Sequence, residues 1–183
     1  MIDFEEDNTT KITRYANYLR IVLPGNDPLI MGLAAKALGK LAVPNTGGTL
    51  TGEFVEYEVN RSLEWLQGER IEQRRHAAVL ILSELAANSP TLIYTYIPQI
   101  LDLIWTALRD AKPSIRESAA QALDVCLVLV HQRENAMQNT WYEKLILETQ
   151  KGFKIGTAEA IHGSLLVWRT LLKNTGNVFS TKL

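Results

Sequence analysis

A near-constant internal period constrains this chain more than any other feature of its sequence. The segment Ile115-Arg116-Glu117-Ser118-Ala119-Ala120-Gln121-Ala122-Leu123 can be laid over Ile30-Met31-Gly32-Leu33-Ala34-Ala35-Lys36-Ala37-Leu38. Both carry an apolar or long residue, two variable positions, two small residues and an aliphatic residue three further on. The pattern recurs from Arg74, with Ala77-Ala78 and Ile81, and more weakly from Ala160, with Gly163-Ser164 and Val167. The anchors Met31, Arg74, Arg116 and Ala160 are 43, 42 and 44 residues apart. Self-similarity at such a period marks stacked supersecondary units, each covering its neighbour's apolar face.

Each copy reads as a helix. Ala77, Ile81, Glu84 or Leu85 and Asn88 keep the three-to-four spacing of one helical face, as do Ala119, Leu123, Cys126 or Leu127 and Val130. The paired small residues admit a neighbouring helix at the near end of the roughly 8–10 Å range of packed axes. Asp27-Pro28 reads as a helix start, and Pro44 and Pro90 follow helix ends. A second set of helices is expected between these: 10–23 behind Thr9 or Thr10 as N-cap, 51–67 with Thr51 as cap and Gly68 as stop, 91–109, and 139–153. Pro98 predicts a kink or a fresh start within the third.

No stretch alternates with period two, so strands are not expected. The expectation is an all-α fold, an α-solenoid of about four helical hairpins over residues 10–43, 51–88, 91–132 and 139–173, in one array across 1–183. Two helices per unit of about 40–47 residues match HEAT repeats better than armadillo repeats. The run from Pro98-Gln99-Ile100-Leu101 through Asp110 to Arg116 resembles the HEAT consensus: a proline in the first helix, an aspartate in the turn and an arginine early in the second. Met31 and Ala160 depart from that arginine.

A formal charge of −1 gives no overall basic footprint for nucleic acid or for a polybasic membrane anchor. Met1-Ile2-Asp3-Phe4-Glu5-Glu6-Asp7 is acidic where a signal peptide needs a basic start. The longest apolar runs, Ala77 to Leu82 and Val125 to Val130, are six residues each, and a spanning helix needs about 20. A cytoplasmic chain is expected. The lone Cys126 has no partner for an intramolecular disulfide and sits on an aliphatic helical face, as core.

Chemistry is sparse. His76, His131 and His162 do not form a zinc-type spacing. His76, beside Arg74 and Arg75, reads as a surface or groove residue, and His162 as a packed, hydrogen-bonded one. Thr46-Gly47-Gly48-Thr49 holds the only glycine pair and lacks phosphate-loop spacing, so it reads as a hairpin connection. The kinase motifs His-Arg-Asp and Asp-Phe-Gly are absent. No catalytic, cofactor or metal residues are assigned. Arg70, Arg74 and Arg75, interleaved with Glu69 and Glu72, read as a solvated face or an intra-repeat ladder, with an acidic partner surface as the alternative.

The aromatic residues say more. On the 51–67 helix, Val55, Val59, Ser62, Leu63 and Leu66 form one stripe, and Phe54, Tyr57, Arg61 and Trp65 a second, turned by roughly 120°. Two stripes imply two neighbours. The second neighbour is either the next repeat or a partner, because Trp, Tyr and Arg dominate interface hot spots. Trp105 and Trp168 read as inter-helix core.

Specific strings then resemble the N-terminal HEAT region of the target of rapamycin kinases. They are Arg14-Tyr15-Ala16-Asn17-Tyr18-Leu19-Arg20, Leu23-Pro24-Gly25-Asn26-Asp27-Pro28, Glu53-Phe54-Val55-Glu56-Tyr57-Glu58-Val59, Ser62-Leu63-Glu64-Trp65-Leu66, Arg74-Arg75-His76-Ala77-Ala78-Val79-Leu80 and Ile161-His162-Gly163-Ser164-Leu165-Leu166. They run in family order over about residues 10 to 172. The resemblance implies a very large Ser/Thr kinase coupling nutrient signals to growth, with its kinase domain outside this chain. It implies that this segment is scaffold, a non-catalytic part of a complex with a raptor-like subunit, recruited to endomembranes by partners. A surface for a Rheb-type small GTPase is implied as well, for which the stripe with Phe54, Tyr57, Asn60 and Arg61 is the matching candidate. The rival is a free-standing HEAT adaptor of transport or phosphatase-scaffold type. Lys151 to Ala160 is shorter than the family's loop, and the family's further upstream hairpin is missing, which leads to the expectation of a fragment.

Overall fold

The computed structural model describes residues 8–25, 27–43, 49–68, 70–133 and 138–175; Pro44 and Thr46-Gly47-Gly48 lie outside them. Its helices are α1 (Asn8–Val22), α2 (Pro28–Leu41), α3 (Thr49–Gly68), α4 (Glu72–Asn88), α5 (Pro90–Ile93), α6 (Ile97–Leu103), α7 (Trp105–Leu108), α8 (Pro113–Gln132), α9 (Gln138–Ile155) and α10 (Ala158–Thr175). A 3₁₀ turn, Tyr94–Tyr96, joins α5 to α6. All regular structure among the described residues is helical. Helices α2, α4, α8 and α10 pack in series, while α1, α3, the broken α5–α7 and α9 lie against them as a second layer. The fold is an all-α solenoid.

Local chemistry sets the helix starts. Asp27 caps α2, its Oδ1 accepting from the Leu29 and Ile30 amides at 2.8 and 3.3 Å, an arrangement typically worth about 1 kcal/mol. Pro28, Pro90, Pro98 and Pro113 each occupy a first turn, where a missing N–H costs nothing. Pro98 restarts the third outer helix after the 3₁₀ turn, as expected, and the 91–109 stretch divides further, into three short helices. The expected N-caps are displaced: Thr9 and Thr10 lie inside α1 and Thr51 lies inside α3, whereas α3 stops at Gly68 as expected.

The small pairs Ala34-Ala35, Ala77-Ala78 and Ala119-Ala120 are all buried in the core, together with Ile81, Leu85, Leu123, Leu127 and Val130. Cys126 is fully buried there, and burial pushes its thiol up to about 12, which leaves it inert as a nucleophile. The first stripe of α3 (Val55, Val59, Ser62, Leu63, Leu66) is buried throughout. Trp105 is core as expected, whereas Trp168 is only half-buried.

Unit four packs through Gly163-Ser164 instead of an alanine pair. A Cβ on Gly152 of α9 would fall 2.1 Å from the Ser164 Oγ, so the hydroxyl fills the groove left by that glycine. Ser164 is buried and its Oγ has no hydrogen-bond partner. A buried unmade donor costs about 1–3 kcal/mol. Ser164→Ala is therefore expected to leave stability unchanged or raise it by about 1 kcal/mol, read as a urea midpoint at constant slope. A clear loss would show that the hydroxyl is bonded.

Candidate protein-binding surface

Successive units are tied by a buried polar ladder. Asp110, in the turn after α7, accepts from Arg75 Nε and Nη2 of the preceding unit at 2.8 and 2.7 Å. Its second oxygen takes the Lys112 amide at 2.9 Å. Arg116 donates Nη1 to the Asp110 and Ala111 carbonyls at 2.6 and 3.0 Å, and Nε to His162 Nδ1 of the next unit at 2.8 Å. Arg116 thus closes its own turn and joins α8 to α10. The Arg75 ion pair corrects the solvated-face reading at that position: one arginine of the 70–75 cluster is a structural link between units. His162 is hydrogen-bonded, as its position suggested.

His76 departs from expectation. It is buried between α4 and α8, with Nε2 3.0 Å from Ser118 Oγ. His76, Ser118 and His162 hold the same offset from their unit anchors, so this is a repeat contact and not a surface one. Burial lowers the His76 pKa; Asp110 opposes that shift and Lys112 adds to it. The unfolded chain therefore binds more protons just below the ordinary value of about 6.5. The contribution is complete above that value and is lost as pH falls through the folded one. Chemical denaturation from pH 7.5 to 5 should show stability falling, with His76→Gln flattening the profile by no more than about 1.4 kcal/mol per pH unit.

The second stripe of α3 faces α1. Arg20 places its guanidinium carbon 5.8 Å from the Phe54 ring centroid and 4.5 Å from that of Tyr57. Arg61 lies 5.9 Å from Tyr57 and 4.8 Å from Trp65, and Arg74 lies 5.9 Å from Trp65. Between the first two arginines, fully buried Glu58 accepts from Arg20 Nε at 2.6 Å and from Arg61 Nη2 at 2.5 Å. Burial lowers the Arg61 pKa, with Glu58 pulling it back up.

Three of the four candidate residues, Phe54, Tyr57 and Arg61, come together in this seam. Asn60 is exposed on the adjoining edge of α3. Phe54, Arg61 and Trp65 are half-buried, while Tyr57 is 53% exposed. Sequence reasoning missed Arg20 and Glu58. A signal for Glu58 existed: it stands three residues after Val55 and four before Ser62, on the edge of the buried stripe. The seam presents cations and aromatic faces, an arrangement suited to binding.

No single helix among the described residues is long and apolar enough to cross a membrane. One pair, α4 with the segment Pro90–Leu103, reaches the length only together, across a 118° bend.

The HEAT-like repeat family matches residues 72–123, the stretch that holds Arg75, Asp110 and Arg116. The chain is 49% identical over 178 residues to the Ser/Thr-protein kinase tor1 of Schizosaccharomyces pombe, covering 97% of this chain and 8% of that protein. It is 44% identical over 175 residues to TOR2 of Saccharomyces cerevisiae, covering 91% of this chain and 7% of that protein. To TOR of Arabidopsis thaliana it is 40% identical over 178 residues, covering 96% and 7%. It thus spans at most 8% of the length of these relatives. With nearly its whole length matched and the repeat in place, the chain belongs to the target of rapamycin kinase family, as a HEAT-repeat segment of it.

Proposed function

We propose that this segment is a non-catalytic scaffold within a TOR-type Ser/Thr kinase whose catalytic domain lies outside the chain. Its stacked hairpins hold partners at fixed positions in a complex that includes a raptor-like subunit and serves nutrient and growth signalling. The segment needs no cofactor of its own, and it works in the cytoplasm, reaching endomembranes through partners. The α1–α3 seam, with Phe54, Tyr57, Asn60 and Arg61, is the surface for a Rheb-type small GTPase. The observation carrying this reading is Tyr57, half exposed above a desolvated arginine pair, the chemistry that interface hot spots use. A free-standing adaptor accounts less well for a match over 97% of the chain at 49% identity.

The test is capture by GTP-loaded and GDP-loaded Rheb-type GTPase. Asn60→Ala alters an exposed side chain and should leave thermal unfolding unchanged. Tyr57→Ala also gives up the ring contacts of Arg20 and Arg61 and should cost about 1–2 kcal/mol while the chain stays folded. GTP-dependent capture by wild type, weakened roughly thirtyfold by Tyr57→Ala, supports the surface. No capture by folded wild type overturns it.

A further inference from the structure

The charges of the α1–α3 seam do not balance. Two guanidiniums, Arg20 and Arg61, share one carboxylate, Glu58, and all three are largely withdrawn from water: side-chain exposures are 19%, 14% and 0%. The Nε of Arg61 is buried and makes no hydrogen bond. The excess cation lies between the rings of Phe54, Tyr57 and Trp65, where solvent screens it less than it would on an open surface. Exposed Glu53 and Glu64 stand on the face of α3 that carries Tyr57, one before the seam's centre and one after it. The outer face of α3 therefore reads acid, base, acid along its length.

We infer that this seam is an acid-reading surface: it seats one acidic side chain of a partner protein against the Arg20 and Arg61 guanidiniums, beside the Tyr57 ring, with basic side chains of that partner meeting Glu53 and Glu64. The inference rests on the proposed role of the seam as a partner surface and adds the partner's chemistry. A carboxylate brings the buried triad of Arg20, Glu58 and Arg61 to two cations and two anions. The aromatic faces hold the guanidiniums in place for it. Arg20 Nε and Nη1 are held by Glu58 and Asn17, and Arg61 Nη2 by Glu58, which leaves Arg20 Nη2 and Arg61 Nη1 as its donors. The flanking glutamates supply register, since a partner acid placed opposite either one is repelled.

Arg20→Met is the discriminating variant. It removes the excess cation and leaves Glu58 paired with Arg61, so no buried carboxylate is abandoned; its melting temperature is measured first. The probe is acetate, titrated against chloride at matched ionic strength, with the arginine Nε–H resonances of the 183-residue chain as readout. Saturable, acetate-specific shifts of the Arg20 and Arg61 signals are expected, with the Arg61 shift lost in Arg20→Met. Absence of a saturable shift, or an equal response to chloride, overturns the inference.

A second arm uses the GTP-loaded Rheb-type GTPase. Arg20→Met should weaken capture roughly thirtyfold and flatten its salt dependence. Equal capture by wild type and a folded Arg20→Met overturns the acid-reading inference while the GTPase reading stands. Acetate-specific shifts without GTPase capture do the reverse.

Discussion

An alanine at position 163 is expected to lower the unfolding free energy by about 3 kcal/mol or more, the upper end of overpacking costs. A Cβ there would lie 1.9 Å from the Leu108 carbonyl oxygen and 2.9 Å from its carbonyl carbon. Both atoms are backbone, so no rotamer change relieves the clash. Helix α10 would have to withdraw from the end of α7, taking the fully buried Val167 and Leu171 with it. Equivalent slots in the other units hold Ala34, Ala77 and Ala119 without difficulty. What makes unit four different is the backbone of Leu108 pressed against the helix. Gly32→Ala is the control: an alanine Cβ there meets nothing within 4 Å, and replacing a mid-helix glycine stabilises by up to about 1 kcal/mol. Urea midpoints of the two variants should move in opposite directions. A Gly163→Ala midpoint equal to wild type would mean that α10 is not seated on Leu108.

The contrast between these glycines shows what the sequence carried and what it did not. Periodicity revealed the inner helices because their small pairs and aliphatic residues must meet a neighbour at every turn; Ala77-Ala78 and Ala119-Ala120 are buried as that requires. The outer layer was less legible. Pro98 signalled a restart, but the 3₁₀ turn at Tyr94–Tyr96 comes before it, and no single residue type marks such a turn. Helix starts were misplaced because Thr9, Thr10 and Thr51 are good caps in isolation, while the helices extend beyond them. His76 was misread because two flanking arginines suggest a wet surface. Arg75 instead reaches forward to Asp110, and His76 turns inward to Ser118. For the candidate surface, the aromatic stripe was visible at helical spacing. Its central anion was not, because a glutamate between Glu56 and Glu64 looks solvated unless its place beside Val55 and Ser62 is counted. Arg20 lies 38 residues from Glu58, a pairing that only the fold creates.

Glu58 therefore supplies the second large effect. Glu58→Ala is expected to cost about 3–5 kcal/mol, the usual penalty for leaving buried charge unpaired. Removing it sets two guanidiniums against each other with no anion between them. Their cation–π contacts to Phe54, Tyr57 and Trp65, each worth about 0.5–2 kcal/mol, are too weak to compensate. Removing the charges together should behave differently. In Arg20→Met/Glu58→Leu/Arg61→Met no ion is left behind, and apolar replacement of such a triad is often neutral or stabilising. Stability within about 1 kcal/mol of wild type is expected, since the lost cation–π contacts offset the recovered desolvation. Denaturant unfolding of the single and triple variants reads both values. If the single variant is as stable as wild type, Glu58 is not the buried anion that the geometry makes it. If the triple variant is stable but takes up neither acetate nor GTPase, the ion triad serves recognition. A seam that could be rebuilt in hydrocarbon at no loss of stability, yet keeps two arginines around one glutamate, is then explained by what it binds and not by what it holds together.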